Sequence, residues 1–219
     1  LIKNNNFHFY MHPETIGAIF NIKENIKLLK NIDGGYVLTC LGGNDKLSLK
    51  PSHLSNSLID KVNNFLIKKE KLKIKKYRFE PNGSDERQYS SQSINAPMTS
   101  FFFKKYYEYK EYHNSLDNNK NINFKNLYKM FNIYLKLIKI LDKNLTFKSL
   151  QLKHEVFMEP YNLYVNLGGA YKGESKKKYL NALMFYSNGK KDLIDISELT
   201  NLNFDKLYDY SLVLEKKGL

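Results

Sequence analysis

The feature that most constrains this chain is an alternation of two hydrophobic periods along its first two thirds. Short apolar runs closed by glycine or proline read as strands, and between them lie longer stretches whose apolar residues recur every three or four positions, the spacing of a helix with one buried face. Phe7-His8-Phe9-Tyr10-Met11 is an aromatic run ended by Pro13. Ile16, Ile19, Phe20, Ile26 and Leu29 then follow at helical spacing. Gly34-Gly35 breaks the pattern, and Tyr36 to Leu41 reads as a buried strand closed by Gly42-Gly43. A helix over Ser57 to Ile67 leads into a strand around Leu72 to Phe79, and Met98 to Phe103 forms another buried strand after Pro97. The longest helix spans Phe124 to Leu141, with Leu127, Met130, Phe131, Tyr134, Leu137, Ile138 and Leu141 along one side. Strands alternating with helices predict an α/β fold with a mostly parallel sheet flanked by helices.

The sequence changes character near Tyr161 to Gly173, where Gly, Asn and Tyr dominate and a linker is expected. Beyond it three short helices are predicted: Lys178 to Ser187, Asp192 to Asn201 with Asp192 as cap, and Phe204 to Lys217. Two helices joined by the tight turn Asn201-Leu202-Asn203 suggest a small winged-helix-like module, cut short where a wing would begin. The expected organisation is an α/β domain over 1–170 and this module over 171–219.

Of the 219 residues, 42% are hydrophobic, enough to bury roughly seventy per cent of the unfolded surface around a core. The longest apolar stretch is interrupted by Lys129, Lys136 and Lys139, so no membrane-spanning helix is expected. One cysteine, Cys40, excludes an internal disulfide, and the first residues lack a secretory core, which makes the cytoplasm the expected compartment. The chain opens on Leu1 rather than Met, and the expectation is that it continues a longer protein. The net charge of +13 would ordinarily suggest a nucleic acid, but the excess of Lys, Asn, Ile, Tyr and Phe over Arg and Trp follows from A/T-rich codons. The basic run Lys68 to Lys76 reads as an exposed edge strand guarded by lysine.

Three loops carry the chemistry: Pro13-Glu14-Thr15-Ile16-Gly17, Gly83-Ser84-Asp85-Glu86-Arg87-Gln88-Tyr89 and Glu111-Tyr112-His113-Asn114-Ser115-Leu116-Asp117-Asn118. Each follows a predicted strand, where open α/β sheets gather their ligands. Carboxylates, an imidazole and an arginine are the groups of a zinc hydrolase site, although the spacing alone is equally that of surface groups and helix caps. His8, His53 and His154 read as packed or surface residues, while His12 lies two residues from Glu14.

Ser84-Asp85-Glu86-Arg87-Gln88-Tyr89, then Asn95-Ala96-Pro97, then the loop from Glu111 to Asn118 resemble a bacterial aminopeptidase-like domain family, related to the zinc aminopeptidases and followed by a C-terminal winged helix. Pro13 to Gly17, Tyr36 to Cys40, Glu159-Pro160 and Leu167-Gly168-Gly169 fit the same family in order. The resemblance implies a zinc-peptidase-like fold of which this chain is the C-terminal part. It implies that Glu14 and His113 are metal ligands, that Asp85 contacts the site or a substrate amine, and that Arg87 steadies a carboxylate or an oxyanion. Asp117 is expected to orient the His113 loop.

The same resemblance exposes departures. The related enzymes use an earlier histidine and a bridging aspartate that have no counterpart here, and the general-base glutamate of their Glu-Glu pair is replaced by Pro13. Their next ligand, an aspartate, falls at or beside Cys40, which is either a zinc thiolate or, the favoured reading, a core thiol. Zinc needs about four ligands, and two do not make a catalytic ion. The expectation is therefore an aminopeptidase-like zinc hydrolase of peptide or amide bonds, connected with polysaccharide biosynthesis and inactive as this stretch alone. The alternative is a binding or regulatory protein that docks through the peptidase scaffold and the helical module. Nucleic acid is disfavoured because Asp205, Asp209 and Glu215 lie on the last helix. Association into a homo-oligomer stays open.

Overall fold

The computed structural model describes residues 4–150, 154–163 and 176–219. The chain divides into two compact units, one of Asn6–Ile138 and one of Leu1–Asn5 with Lys139–Leu219. The linker predicted around Gly168, Gly169 and Gly173 lies outside the described residues.

In the Asn6–Ile138 unit the elements run α1 (Ile16–Leu29), β1 (Gly35–Tyr36), β2 (Ser48–Lys50), α2 (Leu58–Lys69), β3 (Lys75–Lys76), α3 (Glu86–Tyr89) and β4 (Met98–Phe102), followed by α4 (Phe124–Lys143), which continues past Ile138. The four strands form one sheet in the order β1-β4-β2-β3. β1 pairs parallel with β4, and β2 parallel with β3, but β2 and β4 run antiparallel. Two of the three pairings are thus parallel, as the sequence reading expects, and the one between β2 and β4 makes the sheet mixed. The reason lies in the connections: β2 reaches β3 through α2, a crossover long enough to restore direction, whereas residues 37–47 join β1 to β2 without a helix and the chain reverses.

β4 is buried along its whole length, as an apolar run in the centre of a covered sheet should be. Its Phe101 is fastened to α4 twice, since the Tyr134 hydroxyl accepts from Phe101 N–H at 3.0 Å and donates to Phe101 C=O at 3.0 Å. Leu49, Val62, Leu66, Met130 and Leu137 are buried in the same unit. A second cluster of Ala18, Leu29, Tyr89, Ile94, Ala96 and Met98 seats α1. Helix α2 opens on a reciprocal capping box between Ser57 and Asp60. Gly34 adopts φ 148°, and a Cβ there would stand 2.4 Å from Ile59 Cγ1 and 2.7 Å from Pro97 C=O, so only glycine passes between α2 and the entry to β4. β3 lies on the sheet edge with Lys75 and Lys76 exposed, as the lysine alternation predicted.

Two strand expectations are corrected. Phe7 to Met11 forms no strand and leaves Phe9 74% and Met11 99% exposed, because no described strand offers it a partner. Tyr36 to Leu41 is not a buried strand: pairing covers only Gly35 and Tyr36, extended by Val37 N–H to Thr99 C=O, after which Cys40 turns to φ 51°. β1 is an edge strand with one neighbour, so its continuation is only half covered and Leu38 is 60% exposed. Strand β2 went unread because its third residue is a lysine.

The second unit contains β5 (Thr146–Lys148), α5 (Lys176–Tyr186), β6 (Asn188–Asp192), α6 (Leu193–Thr200) and α7 (Phe204–Lys216), with β5 and β6 paired antiparallel. The three predicted helices are present, and β6 between the first two was unread. Asp192 caps α6 through a reciprocal box with Asp195, Asn201 ends it in the left-handed region at φ 55°, and Asn203 caps α7 through Lys206 N–H. Tyr179, Leu183, Leu193, Ile196, Phe204 and Leu207 form its core. Asn4 and Asn5 clasp the buried Asp142 carboxylate by their backbone N–H groups at 2.8 and 3.2 Å. No described helix is long and apolar enough to cross a membrane.

Candidate functional site

Because β1 and β4 are parallel, the chain leaves both at the same side of the sheet, and Phe103 N–H meets Cys40 C=O there at 3.2 Å. The Cys40 turn and the loop from Phe103 to Asn118 are therefore neighbours by topology. The loop before α1 and the short helix α3 complete the surroundings.

Thr15 is the hub. It precedes α1 at φ 61° and ψ −66°, a backbone that a β-branched residue adopts only when held there. Asp85 and Arg87 do the holding: Asp85 Oδ1 accepts from Thr15 N–H at 2.8 Å, and Arg87 Nη2 donates to Thr15 Oγ1 at 3.4 Å. The Asp85 carboxyl is buried, and burial pushes its pKa up; the Thr15 N–H opposes that shift and the nearby Glu14 charge adds to it. Arg87 Nε is buried with no hydrogen-bond partner.

His12 is engaged at both nitrogens. Nδ1 lies 3.2 Å from Pro13 C=O and Nε2 lies 2.9 Å from Tyr89 OH, which accepts from Asn21 Nδ2 at 2.9 Å. A carbonyl can only accept, so Nδ1 carries the proton and Nε2 receives the Tyr89 O–H. Its Nδ1 is also 3.9 Å from Asp85 Oδ2. These bonds make His12 a brace for Asp85 and the α1 entry.

Glu14 is exposed, and its charge raises the pKa of Asp85, of the Cys40 thiol and of Tyr112. Cys40 is half-buried, with Sγ 3.6 Å from Thr39 Oγ1 and 3.9 Å from Tyr109 OH. Burial is the main cause that pushes its thiol up, and the thiol is neutral at pH 7. His113 is exposed at φ 57°, its ring stacked on Tyr112 at 3.9 Å. The Tyr112 hydroxyl is pushed up to about 12, first by burial and then by Glu14. Asn114 orders the His113 loop, donating from Nδ2 to Lys110 C=O at 2.7 Å and accepting from Leu116 N–H at 2.9 Å. Asp117 acts through its charge, which contributes to the raised Cys40 pKa.

Among the described residues no three His, Cys, Asp or Glu side chains gather closely enough to hold one metal ion. What the arrangement offers without one is an exposed carboxylate, a buried carboxyl and a guanidinium within a single loop cluster.

One component escaped the sequence. Glu86 is 0% exposed beside Asp85, accepts from Ser100 Oγ, and has its other oxygen 3.9 Å from Lys50 Nζ, itself 1% exposed. Lys50 donates to Tyr106 OH at 2.7 Å and to Asn82 C=O at 3.2 Å. This network ties α3, and with it Asp85 and Arg87, to β2 and β4. Two residues of the pair come from segments 36 positions apart, so no local motif announces it.

The family model described as "Domain of unknown function (DUF4910)" matches residues 2–144. A "Putative polysaccharide biosynthesis protein with aminopeptidase-like domain" from Clostridium acetobutylicum is 31% identical over 205 residues, covering 92% of this chain and 46% of that protein. The crystal structure of a "putative peptidase" from Clostridium acetobutylicum superposes with a TM-score of 0.74 at 28% identity, covering 94% of this chain and 46% of that one. The chain thus spans about half the length of the curated relative it matches.

Proposed function

We propose, from the premise that this chain belongs to the DUF4910 family and has a peptidase-like fold, that it carries part of the working site of an aminopeptidase-like hydrolase of peptide or amide bonds. The observation that carries the reading is the clasp on Thr15, where Asp85 and Arg87 hold a strained backbone beside the exposed Glu14. In this reading Glu14 is kept for the metal, and the Arg87 guanidinium donates to the carbonyl oxygen as negative charge develops on it. Asp85 positions Thr15 and Glu14 and does not meet the substrate itself.

Zinc belongs to the proposal. Glu14 and His113 would hold it, Cys40 being the core thiol, and the remaining donors would come from the portion of longer relatives that this chain does not match. A zinc ion so held would supply an activated water and a polarised carbonyl. The name of the Clostridium relative joins the domain to polysaccharide biosynthesis, and we extend that association to this chain. We also propose a cytoplasmic place of work, on the single unpaired cysteine.

A second reading rests on the arrangement of α5, β6, α6 and α7, which suits a winged-helix-like module used for protein docking. Carboxylates at Asp205, Asp209 and Glu215 on α7 repel phosphate and make nucleic acid a poor partner.

The test is elemental analysis of zinc in the folded full-length protein and in its Glu14→Ala and His113→Ala variants. Bound zinc that falls in both supports the hydrolase reading. A folded protein without zinc, or one whose zinc ignores both substitutions, overturns the metal assignment and favours a scaffold that binds without cleaving.

A further inference from the structure

The loop after β4 holds more aromatic surface outward than its packing requires. Tyr107 is 69% exposed although its backbone sits in the left-handed region at φ 64°, so the chain keeps an uncomfortable conformation that presents a ring to solvent. That ring meets Tyr112 with centroids 5.0 Å apart and planes 68° apart, an open corner with two nearly perpendicular walls. Tyr112 is braced behind by His113 at 3.9 Å and at its edge by Tyr109 at 5.4 Å. On the Tyr109 side stands an ion pair, Lys104 Nζ to Glu111 Oε2 at 3.4 Å, with the ammonium 4.4 Å from the Tyr109 centroid. Tyr112 lies within the fields of Glu14 and Arg87, so the corner adjoins the Thr15 clasp.

A ligand for such a corner needs an apolar face to lie on a ring and polar groups around its rim. Aromatic faces are negative and attract the slightly positive hydrogens of C–H bonds. A pyranose offers a face of such C–H groups, and its hydroxyls both donate and accept, which suits an ammonium and a carboxylate standing together. An aromatic peptide side chain would use the rings but leave Lys104 and Glu111 unused.

We propose that the Tyr107–Tyr112 corner is a binding subsite for a sugar ring, and that the amide presented to the Thr15 clasp is borne by an amino sugar or a glycopeptide. The statement about the amide rests on the hydrolase reading; the sugar subsite stands without it.

The experiment titrates the ¹⁵N-labelled full chain with N-acetylglucosamine and N-acetylchitobiose, and separately with L-phenylalaninamide, following amide shifts by NMR. Expected is saturable binding of the sugars with Kd near 1 mM, with shifts centred on residues 104–113. Tyr107→Ala weakens it at least tenfold, Tyr107→Phe leaves it within about twofold since the ring is kept, and Lys104→Met weakens it without moving L-phenylalaninamide. The proposal is overturned if neither sugar saturates below about 20 mM, if sugar binding ignores Tyr107→Ala in a protein that keeps its wild-type melting curve, or if L-phenylalaninamide takes the corner more tightly. Should Tyr107→Ala fail to fold, Lys104→Met decides. Sugar binding that persists in Glu14→Ala while zinc is lost, or in a protein that never held zinc, leaves the subsite standing and judges the metal assignment separately.

Discussion

Replacing Lys50 by Met tests whether the buried pair with Glu86 holds the loop that carries Asp85 and Arg87. The substitution keeps the length and apolar stem of the side chain and removes only the ammonium. Lost with it are donations to Tyr106 OH at 2.7 Å and Asn82 C=O at 3.2 Å, and the charge 3.9 Å from Glu86. Glu86, 0% exposed, keeps only the Ser100 hydroxyl as donor. Breaking a buried pair from one side costs about 3–5 kcal/mol, because the remaining charge has neither water nor partner. For a chain of this size each kcal/mol lowers Tm by roughly 2–4 °C, so a fall of about 6–20 °C is expected. The Lys50→Met/Glu86→Leu double variant removes both charges and recovers most of that loss, since apolar groups of similar volume replace a buried pair at little cost. The assay is guanidinium unfolding of the four proteins of the cycle, followed by circular dichroism and tyrosine fluorescence. A Lys50→Met loss below about 1 kcal/mol, or a double variant no more stable than the sum of the singles, refutes the claim that the two charges depend on each other.

Other outcomes follow from single contacts. The pKa of Asp85 is raised by burial, so the folded state holds its proton more tightly than the unfolded chain; this contribution to stability is full below the unfolded value near 3.9 and is lost as pH rises through the folded value. Asp85→Asn keeps an acceptor for Thr15 N–H and removes that dependence, which urea midpoints measured from pH 3 to 8 would reveal; an unchanged profile counts against it. Gly34→Ala is expected to cost about 2–4 kcal/mol, from a left-handed backbone and a Cβ 2.4 Å from Ile59, measurable as a lowered Tm; a neutral result would sink the steric account. Cys40, with its thiol pushed up by burial, should alkylate slowly with iodoacetamide at pH 7 and faster as pH rises past 9, whereas fast labelling at neutral pH would show an activated thiolate.

The parts of the fold legible in the sequence are those whose signals are local. The apolar run at β4, the long stripe of α4, the capped helix α2 and the lysine-guarded β3 all carry their pattern within a few residues. β2 does not, because Lys50 breaks its apolar run and becomes buried only through partners at Asn82, Glu86 and Tyr106. The reversal of the sheet at β2 was equally hidden, since direction is set by the connection and not by the strand. At the site, Glu14, Asp85, Arg87, Cys40 and His113 were named from motif resemblance, and the structure brings the charges of Glu14, Asp85 and Arg87 around Thr15. Thr15 itself was unforeseen: a threonine before a helix reads as an ordinary cap, and its φ of 61° is a property of the contacts that grip it. The ordering role expected of Asp117 falls instead to Asn114, whose short amide can donate and accept within its own turn.

The strand order also sets a schedule for assembly. β2, α2 and β3 form a local parallel unit as soon as residue 76 has emerged from the ribosome, but among the described residues β1 has no partner other than β4, and β4 is the last strand of this sheet to be made. Between Tyr36 and Met98 some sixty residues must be synthesised, which at roughly 5–20 residues per second leaves β1 unpaired for about 3–12 seconds. Once β2 is made the nascent chain presents two open edges, and a single five-residue segment closes both at once. Translation speed between Tyr36 and Met98 therefore sets how long the chain is exposed to mispairing, and synonymous codon changes in that stretch would alter the yield of folded protein without altering its sequence.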